Sequence, residues 1–383
     1  MVTRVERAET CAAPRFDVYS SLAEARDDWL ALFDCAPASP YQNYDYVSSW
    51  CETVGTSQGL EPMIIVPRDG DGAPLALIPL GTYEAFGLRM AEFLCGRESN
   101  FNLPLLRPGV SLNLHQLLLA AARDHARSPD LLYLRNQPRR FDDAENPLAA
   151  ASASASPSFA YGSTLPAEID TLDLRDSGDT RRKLRRKLQR LAAQGALMFE
   201  HNAKGARASE IVNALIAQKS SRLRMMGVEG AFHAEAIRAF LDRLTDAGVA
   251  EAHALSLSGR IIATYVGLPH SGRFSAMMNS FDMDSPIARC SPGDLLLRAV
   301  LRNLVTRGFT RFDLGVGEAR YKSAVCEETI ELFDSLIPAT TRGASAAPLL
   351  RAFLSAKRLA KNTPWLARIV ELGRQRKGVE RAR

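Results

Sequence analysis

The chain has 383 residues, 46% hydrophobic and 24% charged, a composition that suits a soluble globular protein of about two domains with a large buried core. Its formal net charge is only +5, and much of the excess lies in two clusters, which argues against a surface that coats DNA and for contacts with particular anions. Six cysteines with no Cys-x-x-Cys pair suit a reducing cytoplasm better than a disulfide framework.

The opening segment MVTRVERAETCAAPRF has no apolar run, and nowhere does a membrane-spanning length of apolar residues occur, so neither a signal peptide nor a span is expected. Phe16 to Tyr19 reads as a strand, Ser20-Ser21 as the start of a helix reaching Phe33, and Asp45 to Val54 as a second helix. Three strands separated by glycine turns follow, at Met63–Val66, Leu75–Leu80 and Met90–Leu94. Pro108-Gly109, a helix from Asn113 to Ala126 and a strand at Leu131–Leu134 complete the block. The run AAASASASPSFA then reads as a linker or exposed loop.

The second half repeats this order. Helices at Arg181–Gln194, Ala208–Ser221 and Phe232–Ala247 precede strands at Ala252–Leu257, Ile261–Leu268 and Phe274–Asn279. In Ser291–Lys322, SPGDLLLRAVLRNLVTRGFTRFDLGVGEARYK, apolar residues at Leu297, Val300, Leu301, Leu304 and Val305 predict a helix closed by Gly308. A strand at Thr310–Leu314 and a polar loop carrying Tyr321 and Lys322 follow. The matched spacing of Gly72, Ala76 and Pro108 with Gly259, Ala263 and Pro292 points to an internal duplication. The expected divisions are 1–165, 166–340 and a basic helical tail at 341–383.

The motifs RRKLRRKLQRLAAQG, SGRIIATYVG, SPGDLLL and FDLGVGEARYK, with PYQNYDYVSSW near the start, resemble the double GNAT-like acyltransferases of the FemAB and CelD types. The resemblance implies an α+β fold of tandem GNAT-like halves. It also implies N-acyl transfer to a primary amine such as an amino sugar of a polysaccharide or cell-envelope precursor. Acyl-CoA, acetyl-CoA foremost, would be the co-substrate. The FemAB branch uses aminoacyl-tRNA instead, and since the chain has no obvious inserted coiled-coil hairpin, the CelD-like branch is the nearer match. Charged tRNA as donor, and a non-catalytic scaffold in polysaccharide synthesis, are the alternatives.

Acyl transfer needs a neutral amine, a site for an oxyanion and a proton for the leaving group. By the resemblance, Lys322 stabilises the oxyanion and Tyr321 donates a proton or orients substrate; the competing reading is a surface cation beside a core-edge aromatic. Asp313 and Glu318 are candidates for a general base or for holding the ammonium group. Alternation along Phe312-Asp313-Leu314 equally allows a solvated Asp313.

For the donor, Arg289, Ser291, Pro292, Gly293 and Asp294 form the loop whose free backbone N–H groups would cradle a pyrophosphate, against plain helix capping. Asn279 ends the strand beside the acyl arm, where Met277 and Met278 read as core. Gln42, Asn100, Asn102 and Arg320 are the candidates for acceptor binding, with turn chemistry the alternative for the asparagines. The helix Arg181–Arg190 carries seven cations among ten residues, a solvated face or an anion site. Six histidines lack metal-ligand spacing, so no metal is expected. The basic amphipathic tail reads as packed on the domain, or as touching an anionic membrane surface or a protein, which would place a cytoplasmic protein at the inner membrane surface.

Overall fold

Segments such as Met63–Pro67 and Ile262–Leu268 are apolar without alternation, which in a strand means burial on both faces, and each lies inside a mixed sheet. The computed structural model describes residues 15–124, 128–149, 153–226, 233–283, 286–317 and 320–362. In the first sheet β1 (Phe16–Tyr19), β2 (Glu61–Pro67), β3 (Ala76–Ala85), β4 (Leu88–Phe93) and β5 (Leu131–Pro138) lie side by side. β2 to β4 form an antiparallel meander, the helix Leu114–Asp124 crosses over, and β5 returns parallel to β4.

The second sheet repeats that plan. After β6 (Ala160–Thr164) and β7 (Leu197–Ala203), the meander of β8 (Glu251–Leu257), β9 (Arg260–His270) and β10 (Arg273–Phe281) leads into the helix Pro292–Thr306. β11 (Arg311–Val316) then lies parallel to β10. The two units of the expected duplication therefore share one strand order.

The halves also exchange strands, which the sequence did not signal. β6 pairs antiparallel with β11 in the second sheet, while β12 (Leu332–Pro338) goes back to pair antiparallel with β5 in the first. The Ala/Ser-rich run is accordingly more than a linker: Ala153–Ala155 pairs with β12, and the run leads directly into β6. Weak strand propensity is overridden there because an open sheet edge leaves backbone groups in need of partners.

The helix Pro292–Thr306 buries Leu296, Val300 and Leu304 with one face of the second sheet, and the helices Gly205–Met225 and Ala234–Asp246 join the core on the other. That last core continues without a break into the first half, taking in Trp29, Tyr46, Trp50 and Phe101 along with Ile211 and Phe240. The Tyr46 and Phe240 rings meet edge to face with centroids 5.2 Å apart, so the halves share apolar burial. The carboxyl-terminal helix runs Thr341–Asn362, opening at the first residue of the expected tail, with Pro348 inside it. It packs Ala347, Leu350 and Leu354 on Met90, Leu131 and Leu336 of the first sheet. The helix expected after Thr363-Pro364 lies outside the described residues. No described helix is long and apolar enough to cross a membrane.

Candidate active site

β10 and β11 pair only at Arg273–Arg311, Phe274–Phe312 and Ser275–Asp313, then part. Each keeps its other neighbour through a register shift, β10 against β9 and β11 against β6, so the strands diverge without losing both ladders. Gly315 (φ 65°) turns the end of β11 in a conformation that favours glycine. A Cβ there would also lie 2.1 Å from the Asn100 Nδ2.

Asn100 fills the gap. Its Nδ2 donates to the Ala276 carbonyl of β10 (3.3 Å) and to the Tyr41 hydroxyl (2.5 Å), and its Oδ1 accepts from the Val316 N–H of β11 (3.1 Å). A side chain from the first half thus satisfies backbone groups that the splayed strands leave open. Asn100 sits in the loop after β4, whereas Asn279 lies within β10, so the two occupy different places in the duplicated plan. The loop itself is pinned. Gln42 is buried, its Nε2 donating to the Phe101 carbonyl (2.8 Å) and its Oε1 accepting from Ser39; Asn102 Nδ2 donates to the Arg135 carbonyl (2.9 Å). Both side chains hold the loop that presents Asn100.

Lys322 stands at the open end. The expected polar loop is in fact a short helix, Arg320–Val325, which carries Lys322 inward until only 8% of it is exposed. Its Nζ donates to the carbonyls of Gly315 (3.2 Å) and Val316 (3.1 Å) and lies 6.0 Å from the centre of the Tyr161 ring, so that among the described residues one of its three N–H donors has no hydrogen-bond acceptor. The surface-cation reading is therefore overturned. Burial pulls the Lys322 ammonium down to about 8, with Cys326 and Asp313 opposing that shift. Tyr321, one residue back, is 37% exposed, and its hydroxyl accepts from Asn279 Nδ2 at 3.4 Å. Burial raises the Tyr321 phenol, which keeps it protonated at neutral pH.

Asp313 has no solvent exposure, because β11 is an inner strand between β10 and β6; the solvated alternative is ruled out. Its Oδ2 accepts from Ser275 Oγ (2.5 Å), Arg273 Nη1 is 4.0 Å away, and Oδ1 is buried without a hydrogen bond. Desolvation raises its carboxyl to about 6, opposed by the Ser275 hydroxyl and Arg273. Glu318 lies outside the described residues; Arg320 opens the short helix.

At the carboxyl end of β10, the last residue of its splayed part, Phe281 packs beside Gly293, whose Cβ position would be 3.3 Å from the Phe281 ring. Asn279 precedes Phe281 by two residues, about 7 Å along a strand. Ser291 adopts a left-handed conformation (φ 51°, ψ 58°) and does not cap the helix with its side chain, so capping by Ser291 is excluded. Instead its Oγ accepts from Lys187 Nζ at 2.8 Å, which brings the basic helix Gly178–Ala192 to the helix start. In the first turn Pro292 carries no N–H and the Asp294 N–H donates to the Ser291 carbonyl (3.0 Å), so among the described residues Gly293 supplies the open backbone donor. Pro292 is buried at the first position, Arg289 ends the preceding turn, and Asp294 points along its own helix with Oδ1 3.5 Å from Arg298 Nε. Met277 and Met278 pack against the shared core, as expected.

The structure thus gathers Asn279, Asp313, Tyr321 and Lys322 at the splay, and Ser291, Pro292, Gly293 and Asp294 at the helix start. It sets Gln42 and Asn102 apart. Ser275, Arg273, Tyr41 and Lys187 escaped the sequence reading; only Lys187 carried a signal, as a member of the basic run.

Residues 178–323 match the family model described as an acetyltransferase (GNAT) domain. Among solved structures, the chain is similar to FemX, with a TM-score of 0.55 and 11% identity over 84% of this chain and 96% of that one. It is also similar to the carboxyl-terminal domain of a putative lysylphosphatidylglycerol synthetase from Agrobacterium fabrum (TM-score 0.51, 16% identity, 86% and 95% covered). A third similar structure is a conserved protein of unknown function from Bacteroides thetaiotaomicron (TM-score 0.52, 11% identity, 84% and 100% covered). No curated protein matches in sequence. The fold is GNAT-like in both halves, and the matched domain, which holds the splay and Lys322, makes the chain an acyltransferase.

Proposed function

We propose that the chain moves an acyl group from a CoA thioester to a primary amine by direct transfer, in the manner of the CelD-like branch. The carrying observation is the run of β10 from the Lys187-backed helix start to the splay where Lys322 is buried. The open Gly293 N–H, the positive end of the helix and Lys187 suit a pyrophosphate, and the splay beside Asn279 suits the acyl arm. The amine nitrogen attacks the thioester carbonyl, the C–S bond breaks, and the proton lost by nitrogen ends on the thiolate. The free donor of Lys322 meets the oxyanion, while Tyr321, protonated at neutral pH, serves the leaving sulfur. Asp313, enclosed behind the splay, acts as counter-charge to Lys322. Glu318, next in the motif, holds the incoming ammonium, and Arg320 meets an anionic group of the acceptor.

For the acceptor, support comes from a cavity of about 400 Å³ where the halves meet, lined by Glu92, Arg97, Glu98 and Arg135 of the first half and His233 of the second. Glu98 precedes Asn100 by two residues, so the loop that lines this cavity is the one that fills the splay. Both charge signs suit an acceptor carrying an amine and an anionic group, such as a nucleotide-linked amino sugar. A charged-tRNA donor is the second reading, favoured by the exposed cations Lys183, Arg186 and Arg190. Calorimetry decides between them: acetyl-CoA or a longer acyl-CoA should bind, and Gly293→Trp should abolish binding. Binding of charged tRNA with no affinity for CoA would overturn the proposal.

A further inference from the structure

A second cavity, of about 220 Å³, lies along the flank of the helix Pro292–Thr306, between it and the helices Ile169–Leu174 and Gly178–Ala192. Over a floor of leucines it gathers Arg181, Arg185, Arg298 and Arg302 against two carboxylates, Asp173 and Asp176. Asp176 pairs with Arg298 and Asp173 with Arg302. The Nε of Arg298 is buried without a hydrogen bond. Arg181 and Arg185 have no carboxylate partner among the described residues and are exposed at the mouth. The cavity therefore keeps an excess of two guanidiniums, each able to fork onto a phosphate.

Its position is fixed by the two helices that form it. From Ser291 to Arg298 the helix climbs about 10 Å, at 1.5 Å per residue. On the facing helix, Lys187 touches Ser291, and Arg181 lies about 9 Å further back by the same rise. Arg185, two residues before Lys187, thus stands about 3 Å of helix rise from it, and Arg181, Arg298 and Arg302 lie further along the two helix bodies, so the cavity runs along the helix from near its start.

We propose that this cavity holds the phosphomonoester on the ribose of the donor nucleotide, the 3′-phosphate of CoA, and so selects CoA over its dephosphorylated form. The inference rests on the donor reading above. In that arrangement Lys187 and the helix start take the pyrophosphate, and Arg181 and Arg185 close over the phosphate from the outer side. Exposed arginines at the mouth carry little desolvation penalty, so the contact favours binding.

Calorimetry of the full chain with CoA and with dephospho-CoA tests it. CoA should bind at least ~10-fold tighter. The double variant Arg181→Ala/Arg185→Ala should lose that preference while holding dephospho-CoA as the native chain does, with an unchanged melting temperature. Lys187→Ala should weaken both ligands alike. Equal affinity of the native chain for CoA and dephospho-CoA overturns this inference and leaves the donor reading standing. A preference that survives the double variant overturns it too. If neither compound binds while charged tRNA does, the donor reading itself falls.

Discussion

The two halves share a strand order but differ in what they place at the same two points. In the first half, β4 and β5 pair at Met90–Leu131 and Ala91–Leu132 and then diverge, like β10 and β11. There the divergence opens on the charged cavity, with Arg135 ion-paired to Glu92 and stacked on Tyr133. In the second it closes on a buried lysine that donates to two carbonyls of β11. The crossover helices differ too. Asn113 accepts from the Gln116 N–H (3.1 Å) at the start of Leu114–Asp124, whereas the Ser291 side chain is turned to Lys187 and leaves its helix start open. A duplicated frame thus carries an uncapped helix start and a desolvated ammonium in one copy and a side-chain-capped helix start in the other. The proposal of chemistry in the second half and recognition in the first rests on that contrast.

The sharpest way to break the comparison is Lys322→Ala. Loss of one preorganised oxyanion donor costs about 10²–10³-fold in kcat, with KM little changed. The contrasting substitution in the first half, Tyr133→Phe, removes the hydroxyl that donates to Asp334 (3.1 Å). It should cost about 1–2 kcal/mol of stability and leave kcat per folded molecule unaltered. If Lys322→Ala retains full turnover, the oxyanion assignment is wrong.

Asn100→Ala comes next, because it joins the halves at the splay. Three hydrogen bonds are lost and the Ala276 carbonyl and Val316 N–H are left open, so stability should drop by about 2–3 kcal/mol. Activity should fall through kcat as β11 shifts relative to Lys322. A purely structural role predicts the stability loss with kcat intact, and stopped-flow single turnovers on folded protein separate the two.

Most of the frame was legible in the sequence, for a reason these residues illustrate. Ile64, Val66, Val266 and Leu268 declare buried strands by composition, and Leu297, Val300, Leu301 and Leu304 declare a helix by period, so local pattern and fold agree. The strand exchange was hidden, since nothing local in Ala160–Thr164 or Leu332–Pro338 says which sheet it completes. The site was half visible. Lys322 and Tyr321 stand in a recognisable motif, but the short helix that buries Lys322 has no period to detect. Asn100 looked like a turn residue because its partners are 176 and 216 residues away.

A smaller effect should appear on raising the pH. The folded-state value of Lys322, about 8, is below that of an unfolded lysine, so between about pH 8 and 10 the unfolded chain binds the extra proton. Stability should therefore rise with pH across that window through this group, by about 1–2 kcal/mol, and Lys322→Met should remove that increment when denaturant midpoints at pH 7.5 and 9.5 are compared. Over the same range the native enzyme should lose activity as the ammonium discharges. An identical pH response in the variant would mean that Lys322 does not titrate there.

The smallest expected effects come from the two helix starts, and they test the comparison most directly. Asn113→Ala deletes a side-chain cap and should cost about 1 kcal/mol while leaving CoA affinity untouched. Ser291→Ala deletes no cap, so its stability loss should be smaller, yet it frees Lys187 from its hydroxyl partner and should change CoA affinity by a few-fold. Thermal denaturation and calorimetry on both variants give a two-by-two result. If Ser291→Ala is the more destabilising and both bind CoA alike, the second helix start is capped like the first, and the asymmetry that assigns the donor to the second half disappears.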